Sequence, residues 1–307
     1  MLRRILILAL TIGAAGVLFA LALPPTETTT DPRQLILKTF RGLATVPIRI
    51  GDSEALNFVI DSGSQHTTLN DAGLAKELNL HTRKAGWGRG MGGAKLPVMI
   101  APDVAIRSSD GELFRTDLAV HHLSSMLEDE AGRNLHGLLG SDLFDRYVVD
   151  INPALGTVSL YEPTHFSYEG PGHIIPLIIQ KRRPFVRARV ITVTGKSAKV
   201  RLMVDTGSEY HLGLILGTHR NIRVPDQHLE VKALGVGGGV DAYIGPVSGL
   251  EIGSMVFGRT PAAFFQPNSM PASLSMKNFD GLIGNGLLGQ YRTILDYHRK
   301  ELILEAL

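Results

Sequence analysis

Two aspartates, Asp61 and Asp205, stand in matching surroundings and are the residues of this chain best suited to chemistry. The first lies in Phe58-Val59-Ile60-Asp61-Ser62-Gly63-Ser64, the second in Leu202-Met203-Val204-Asp205-Thr206-Gly207-Ser208, 144 residues later. A second pair of motifs, Gly137-Leu138-Leu139-Gly140 and Gly281-Leu282-Ile283-Gly284, recurs at the same interval, each beginning 76 residues after its aspartate. A chain built twice with one Asp-Ser/Thr-Gly per copy has the layout that brings two carboxylates together on a pseudo-two-fold axis. Two carboxylates about 3 Å apart cannot both ionise readily and share a proton. The ionised member can take a proton from water while the protonated member polarises a substrate carbonyl. No metal, cofactor or covalent intermediate is needed.

The residues around each aspartate suit that task. A carboxylate at the end of a buried strand must be hydrogen-bonded. Gly63 and Gly207 let the backbone turn and bring an N–H to the carboxylate. Ser62 and Thr206 carry hydroxyls that can bond backbone or the partner loop. The hydroxyls of Ser64 and Ser208 are expected to donate to the outer carboxylate oxygens, which would favour the ionised form.

The elements that must position these residues read as strands. Thr45–Ile50 alternates, and Leu56–Ile60 returns to deliver Asp61. Asp71–Leu78 reads as one short helix. Tyr147–Ile151 and Thr157–Tyr161 form a pair after the first Gly-flanked motif. The second copy repeats the order with Phe185–Thr194, Lys199–Val204, a short segment at Asn285–Gly289, Thr293–Tyr297 and Glu301–Leu304. Tyr147 precedes Asp150 by three residues and Tyr291 precedes Asp296 by five, which suggests a small insertion in the second copy. The fold class is all-β, two lobes with a cleft between them. The expected organisation is an N-terminal segment 1–23, a linker 24–35, a first lobe 36–162, an interlobe linker 163–172 and a second lobe 173–307.

Bulk composition narrows the function. The chain has 307 residues, 44% apolar and 20% charged, with a net charge of +2. This suits two ordinary cores and gives no broad nucleic-acid signature. The cluster Lys181-Arg182-Arg183 with Arg187 and Arg189 reads as a solvated strand and turn. Absence of cysteine excludes disulfides, a thiol nucleophile and Cys-ligated zinc. No H-E-x-x-H or G-x-S-x-G occurs. The adjacent pair His121-His122 would point to opposite faces of a strand, a poor chelate. Gly88-x-Gly90-x-x-Gly93 is followed by Pro97, so it does not open a helix as a dinucleotide fingerprint would. His136 is expected to pack or bond locally, and its counterpart is Asp280.

At the N-terminus, Leu2-Arg3-Arg4 precedes an uncharged apolar run, Ile5–Leu23, and then Pro24-Pro25 and a Thr-rich stretch. The run has the length of a single-pass anchor. Ala20-Leu21-Ala22 also offers a signal-cleavage site. Either way the body of the protein is expected outside the cytoplasm, at the periplasmic face of a membrane or exported.

Asp61-Ser62-Gly63-Ser64, Asp205-Thr206-Gly207-Ser208 and the two later Gly-flanked motifs resemble those of the pepsin/retropepsin-like aspartic proteases. The resemblance covers roughly residues 40–305. It implies β-barrel-like lobes of the acid protease type, following an N-terminal hydrophobic helix. It implies Asp61 and Asp205 as catalytic residues on a protein or peptide substrate, competent as a monomer. Ser62 and Thr206 would tie the two loops together, and the Gly-flanked segments would support them from beneath. The size is nearer two fused retropepsin-like units than a pepsin, as in membrane-anchored or periplasmic bacterial members. Flap segments in the family are Gly-rich hairpins. Candidates here are Gly86–Gly93, with Trp87, Gly90, Gly92 and Gly93, and Gly235–Gly239, with Gly237 and Gly238. A pepsin-type flap tyrosine and pepsin's disulfides are absent. Trp87 reads either as a substitute for that tyrosine or as a core residue. A non-catalytic peptide-binding module on the same scaffold, or an envelope protein duplicated for stability, remain the alternatives.

Overall fold

Strands that alternate at one end and turn wholly apolar at the other set the architecture. In Ser197–Asp205, Ala198 and Val200 are buried while Lys199 is exposed, and then Leu202, Met203 and Val204 are buried in succession. Alternation suits a strand with one wet face, and an unbroken apolar run suits one covered on both. Leu56–Ile60 ends the same way, with Phe58, Val59 and Ile60 buried. Each strand therefore carries its aspartate out of the interior at its C-terminal end.

The computed structural model describes residues 31–89, 95–122, 135–235, 238–267 and 279–307. Residues 31–307 form one compact unit. The first half contains β1 (Arg33–Ile36), β2 (Lys38–Phe40), β3 (Leu43–Ile50), β4 (Leu56–Ile60), β5 (Thr68–Asn70), α1 (Ala72–Glu77) and β6 (Arg83–Arg89). It continues with β7 (Lys95–Ser108), β8 (Gly111–His121), β9 (Gly137–Leu139), α2 (Ser141–Phe144), β10 (Val148–Asn152) and β11 (Thr157–Tyr161). The second half contains β12 (His173–Pro176), β13 (Ile178–Gln180), β14 (Arg183–Ile191), β15 (Ser197–Asp205), β16 (Leu212–Ile215), β17 (Leu229–Gly235) and β18 (Gly238–Val247). There follow β19 (Gly249–Ile252), β20 (Met255–Phe257), β21 (Thr260–Phe265), β22 (Gly281–Gly284), α3 (Asn285–Leu288), β23 (Tyr291–Asp296) and β24 (Glu301–Ala306).

The described chain is thus mostly β, as the turn-rich alternating sequence implies. An eight-stranded sheet, β2-β3-β4-β9-β5-β8-β7-β6, belongs to the first half. A ten-stranded sheet, β17-β18-β21-β16-β22-β15-β14-β19-β20 with β13 on β14, belongs to the second. A six-stranded sheet, β1-β11-β10-β23-β24-β12, joins them through antiparallel pairing of β10 with β23. Val149, Ile151, Ile294 and Leu295 at this seam are buried, and each such side chain contributes about 1.5–3 kcal/mol.

The Gly-flanked motifs lie where neighbouring chain comes very close. β9 runs parallel to β4, and β22 runs parallel to β15. A side chain on Gly137 would collide with the Phe58 ring and the Thr68 carbonyl, one on Gly281 with the Gly213 carbonyl. One on Gly140 would strike the backbone of His66, and one on Gly284 the carbonyl of Tyr210. All four positions need glycine because neighbouring chain occupies the space.

Several expectations are corrected. The linker expected over 24–35 ends earlier than that: Arg33–Ile36 is a strand paired with β11, because Leu35 is buried in the core. No insertion separates the copies near the C-terminus. Val148 pairs with Tyr161 and Arg292 with Glu305, so the interval of 144 continues. Asp296 is the counterpart of Asn152 and not of Asp150. The two aspartates serve separately as buried anchors. Asp150 takes Arg292 in a two-point pair, with 2.7 Å at the closest, and Asp296 takes Arg299 at 2.8 Å. Through β2–β3 and β13–β14 the interval is 140, so Phe40–Leu43 corresponds to Gln180–Arg183.

The N-terminal helix expected over 1–23 lies outside the described residues. Among the described residues no helix is long and apolar enough to cross a membrane.

Candidate active site

β4 and β15 end side by side; Asp61 directly follows the first and Asp205 is the last residue of the second. The loops are locked crosswise. Ser62 Oγ donates to the Val204 carbonyl at 2.7 Å, and Thr206 Oγ1 donates to the Ile60 carbonyl at 2.7 Å. In return the Ser62 N–H donates to Thr206 Oγ1 at 3.0 Å and the Thr206 N–H to Ser62 Oγ at 3.1 Å. Both side chains are fully buried. Four mutual hydrogen bonds in a dry setting fix the separation of the loops far better than exposed ones could.

The carboxyl groups of Asp61 and Asp205 lie close enough to share a hydrogen bond. Each also rests on the other's loop. A Cβ on Gly63 would sit 2.6 Å from Asp205 Oδ1, and one on Gly207 would sit 2.6 Å from Asp61 Oδ1. Glycine is required at both positions because the partner carboxyl occupies the side-chain space. Each aspartate keeps a partly exposed edge.

The two are alike in motif but not in surroundings. Asp61 Oδ1 accepts from the N–H of Gly63 at 2.9 Å and of Ser64 at 3.0 Å. Asp205 Oδ1 accepts from the Gly207 N–H at 3.1 Å. The N–H groups of Ser64 and Ser208 each also reach the main-chain carbonyl of their own aspartate at 3.2 Å, so the extra bond from Ser64 to the carboxylate is what sets the loops apart. Burial raises the proton affinity of Asp61, and the N–H of Gly63, the charge of Arg183 and the N–H of Ser64 oppose that rise. Burial and then the charge of Asp61 push Asp205 well above the usual carboxylate range. Two backbone N–H donors on the Asp61 carboxylate against one on Asp205 make Asp61 the better-stabilised anion.

The Ser64 hydroxyl, expected on a carboxylate oxygen, instead donates to the His66 carbonyl at 2.9 Å. The backbone N–H of Ser64 does the work assigned to it. The carbonyl of Ser64 receives the Ser141 N–H at 3.0 Å, and the carbonyl of Ser208 receives the Asn285 N–H at 2.7 Å. The segments after β9 and β22 thus support the loops from beneath in both halves.

The basic cluster is only partly the solvated strand that its composition suggests. Arg187 and Arg189 are exposed, and Arg189 pairs with Glu251 at 2.7 Å. Arg182 and Arg183, however, tie the β13–β14 turn to the first half. Arg182 pairs with Asp142 at 2.5 Å and Asp145 at 2.7 Å, and its carbonyl accepts from Ser141 Oγ. Arg183 Nε donates to the Gly63 carbonyl at 2.6 Å. The opposite stitch repeats the plan: Asn285 Nδ2 donates to the Gly42 carbonyl, and Arg41 pairs with Glu209 at 2.9 Å. Lys181-Arg182 and Arg41-Gly42 both have positive φ, the geometry of tight two-residue hairpins. Only knowledge of that hairpin pairing could have singled out Arg183 in the sequence.

Tyr297, just beyond β23, lies beneath the loops. Its hydroxyl is 3.5 Å from the Ser62 carbonyl and its ring stacks on Phe144 at 5.1 Å. Burial pushes the phenol well above its ordinary range. His136 and Asp280 are true counterparts, as expected: His136 Nδ1 accepts the Asn57 N–H at 3.0 Å and Asp280 Oδ2 accepts the Arg201 N–H at 2.8 Å. Among the described residues no group of His, Asp or Glu could hold a metal ion.

The flap candidates fall on two ribbons. Trp87 pairs with Pro97 in the β6–β7 ribbon and is 70% exposed, so it is not a core residue. Gly238, at φ 111°, opens β18 in the β17–β18 ribbon. The ribbons are equivalent: Met99 pairs with Val120 as Tyr243 pairs with Phe264. Gly90, Gly92, Gly93 and Gly237 lie outside the described residues.

No curated protein matches the chain significantly. The aspartyl protease family model matches residues 46–143 and 190–290, the two segments that carry the two aspartate loops and their supporting strands. With one match per half and about two thirds of its length covered, the chain belongs to the aspartyl protease family.

Proposed function

We propose that this protein is an aspartic endopeptidase in which Asp61 and Asp205 activate one water molecule against a peptide bond. The observation that carries the reading is the pair of facing carboxyl groups, each held over the other's glycine by the crosswise Ser62–Thr206 lock. In the productive state Asp61 is the anion and Asp205 the acid. Asp61 takes a proton from the water as its oxygen attacks the carbonyl carbon. The Asp205 proton passes to the carbonyl oxygen, giving a neutral tetrahedral diol. On collapse the proton held by Asp61 goes to the leaving nitrogen, the C–N bond breaks, and a diol hydroxyl returns its proton to Asp205. Both carboxyls end as they began.

The β6–β7 and β17–β18 ribbons serve in this proposal as flaps over the substrate. Their equivalent places in the two halves support a paired arrangement. The halves 36–162 and 173–307 act as lobes joined by 163–172, and one chain suffices for catalysis. Residues 1–23 tether the enzyme to a membrane or direct its export, so that substrates are proteins or peptides outside the cytoplasm. The apolar run after Arg3-Arg4 supports this placement.

The test is digestion of a peptide library by purified wild-type protein and by Asp61→Asn and Asp205→Asn across acidic to neutral pH. Each substitution is expected to reduce kcat by about 10²–10⁴-fold or more while leaving the fold intact. Undiminished cleavage in either folded variant would remove the assignment.

A further inference from the structure

The crosswise lock treats the two aspartates alike, yet one side chain does not. Arg183 sits at a position whose counterpart in the first half is Leu43. Leu43 is an apolar core residue packed with Phe40 and Val59. Arg183 instead donates from Nε to the Gly63 carbonyl at 2.6 Å. The amide bond that owns this carbonyl also owns the Ser64 N–H, and that N–H donates to Asp61 Oδ1 at 3.0 Å. A cation, an amide and a carboxylate are therefore in series. A guanidinium pulling on the carbonyl oxygen makes the N–H of the same amide a stronger donor. Both loops share one bond, from the Ser64 N–H to the Asp61 main-chain carbonyl and from the Ser208 N–H to the Asp205 main-chain carbonyl, each at 3.2 Å. Among the described residues no guanidinium meets the Gly207 carbonyl, and only the Ser64 N–H also reaches a carboxylate.

We propose that Arg183 is a positioning residue that breaks the two-fold symmetry of the pair, acting through the Gly63–Ser64 amide to keep Asp61 the anionic member. The proposal rests on the reading of Asp61 and Asp205 as the catalytic pair. It explains why near-identical motifs perform different halves of one reaction. Arg183 is largely enclosed, so its charge is weakly screened by solvent. The other charged or titratable groups bearing on the site are Tyr297, from beyond β23, and the Arg182, Asp142 and Asp145 trio from the β13–β14 turn and the α2 segment. Within the trio the arginine charge is already matched by two carboxylates. Arg183 is the cation left facing the pair, with Asp61, Asp205 and Tyr297 as its charged or chargeable neighbours.

A positive charge beside two coupled carboxyls lowers the pH of both proton losses, so the window in which one proton is shared lies further towards acid. Arg183→Gln should move both limbs of the kcat/KM profile upward by about one pH unit. kcat at the acidic edge should fall about tenfold, with KM little changed. Arg183→Lys keeps the charge and loses the planar fork. Its limbs should stay with wild type while kcat falls severalfold. The second readout does not need turnover: ¹³C-carboxyl titration of aspartate-labelled protein, wild type against both variants. Lack of cleavage by wild type would defeat the protease reading and leave the titration to decide the role of Arg183. A folded Arg183→Gln protein with unmoved limbs and unmoved carboxyl titration would overturn the proposal. Should Arg183→Gln not fold, an Arg183→Lys protein indistinguishable from wild type in kcat, or with both limbs displaced upward, would overturn it as well.

Discussion

Asp205 is expensive to bury. Enclosure and then the Asp61 charge raise its proton affinity well above that of the unfolded chain. A carboxyl whose folded-state affinity for protons is raised lends the fold most stability below the unfolded value of about 4, and that stability drains away as pH climbs towards the raised value. Asparagine has the shape of the protonated acid without the ionisation. Asp205→Asn should therefore melt about 3 °C or more above wild type at pH 7 and with almost no difference at about pH 3. Scanning calorimetry across that range checks the sign. An equal shift at both values would show that charge is not the cause. The same reasoning makes the loop hydroxyls indispensable. Without the Thr206 side chain, the Ser62 N–H and the Ile60 carbonyl would be buried with no partner, at about 1–3 kcal/mol each.

Among the elements, the parallel strand pairs beneath the site tolerate least. Gly281 on β22 faces the Gly213 carbonyl so closely that any Cβ must displace backbone, whereas Gly258, between β20 and β21, has open space around it. Gly281→Ala should cost about 3 kcal/mol or more, while Gly258→Ala should stay within about 0.5 kcal/mol of wild type, as urea melts would measure. Much of this level was legible from the sequence, because the chemistry constrains neighbours along the chain. An aspartate delivered by an apolar strand, followed by a hydroxyl and a glycine, states its own geometry. The glycines of 137–140 and 281–284 stood out by recurring at the same interval as the aspartates, though the close packing that requires them shows only in the fold. Arg183 was not legible. It meets Gly63 from a hairpin 120 residues downstream, and its lysine and arginine neighbours read as ordinary surface. The Ser64 hydroxyl misled for the opposite reason. A serine beside a carboxylate offers two donors, and sequence does not say that the backbone one is used. The apparent insertion before Asp296 came from matching two aspartates by type, when strand register pairs by position.

At the scale of the whole molecule, the six-stranded sheet holds the halves together. Asp150 is buried at its seam, and Arg292 grips it at two points while also reaching Glu305 at 3.1 Å; Glu305 in turn accepts from the Tyr168 hydroxyl at 2.7 Å. Removing the cation strands a buried anion. Arg292→Met should lower stability by about 3 kcal/mol at pH 7, measured by denaturant unfolding, and double substitution with Asp150→Leu should recover part of the loss. Failure of any recovery would mean that the arginine acts by packing alone. The crosswise lock carries a further implication for how the molecule comes into being. Ser62 finds its acceptor at Val204 and Thr206 finds its own at Ile60, so neither loop has its final shape until both halves exist. A ribosome-bound chain that has emerged only as far as the first aspartate holds half a reactive centre with an unsatisfied hydroxyl. If the pair cuts peptide bonds as proposed, its catalytic centre forms only late in synthesis, once the second loop has emerged.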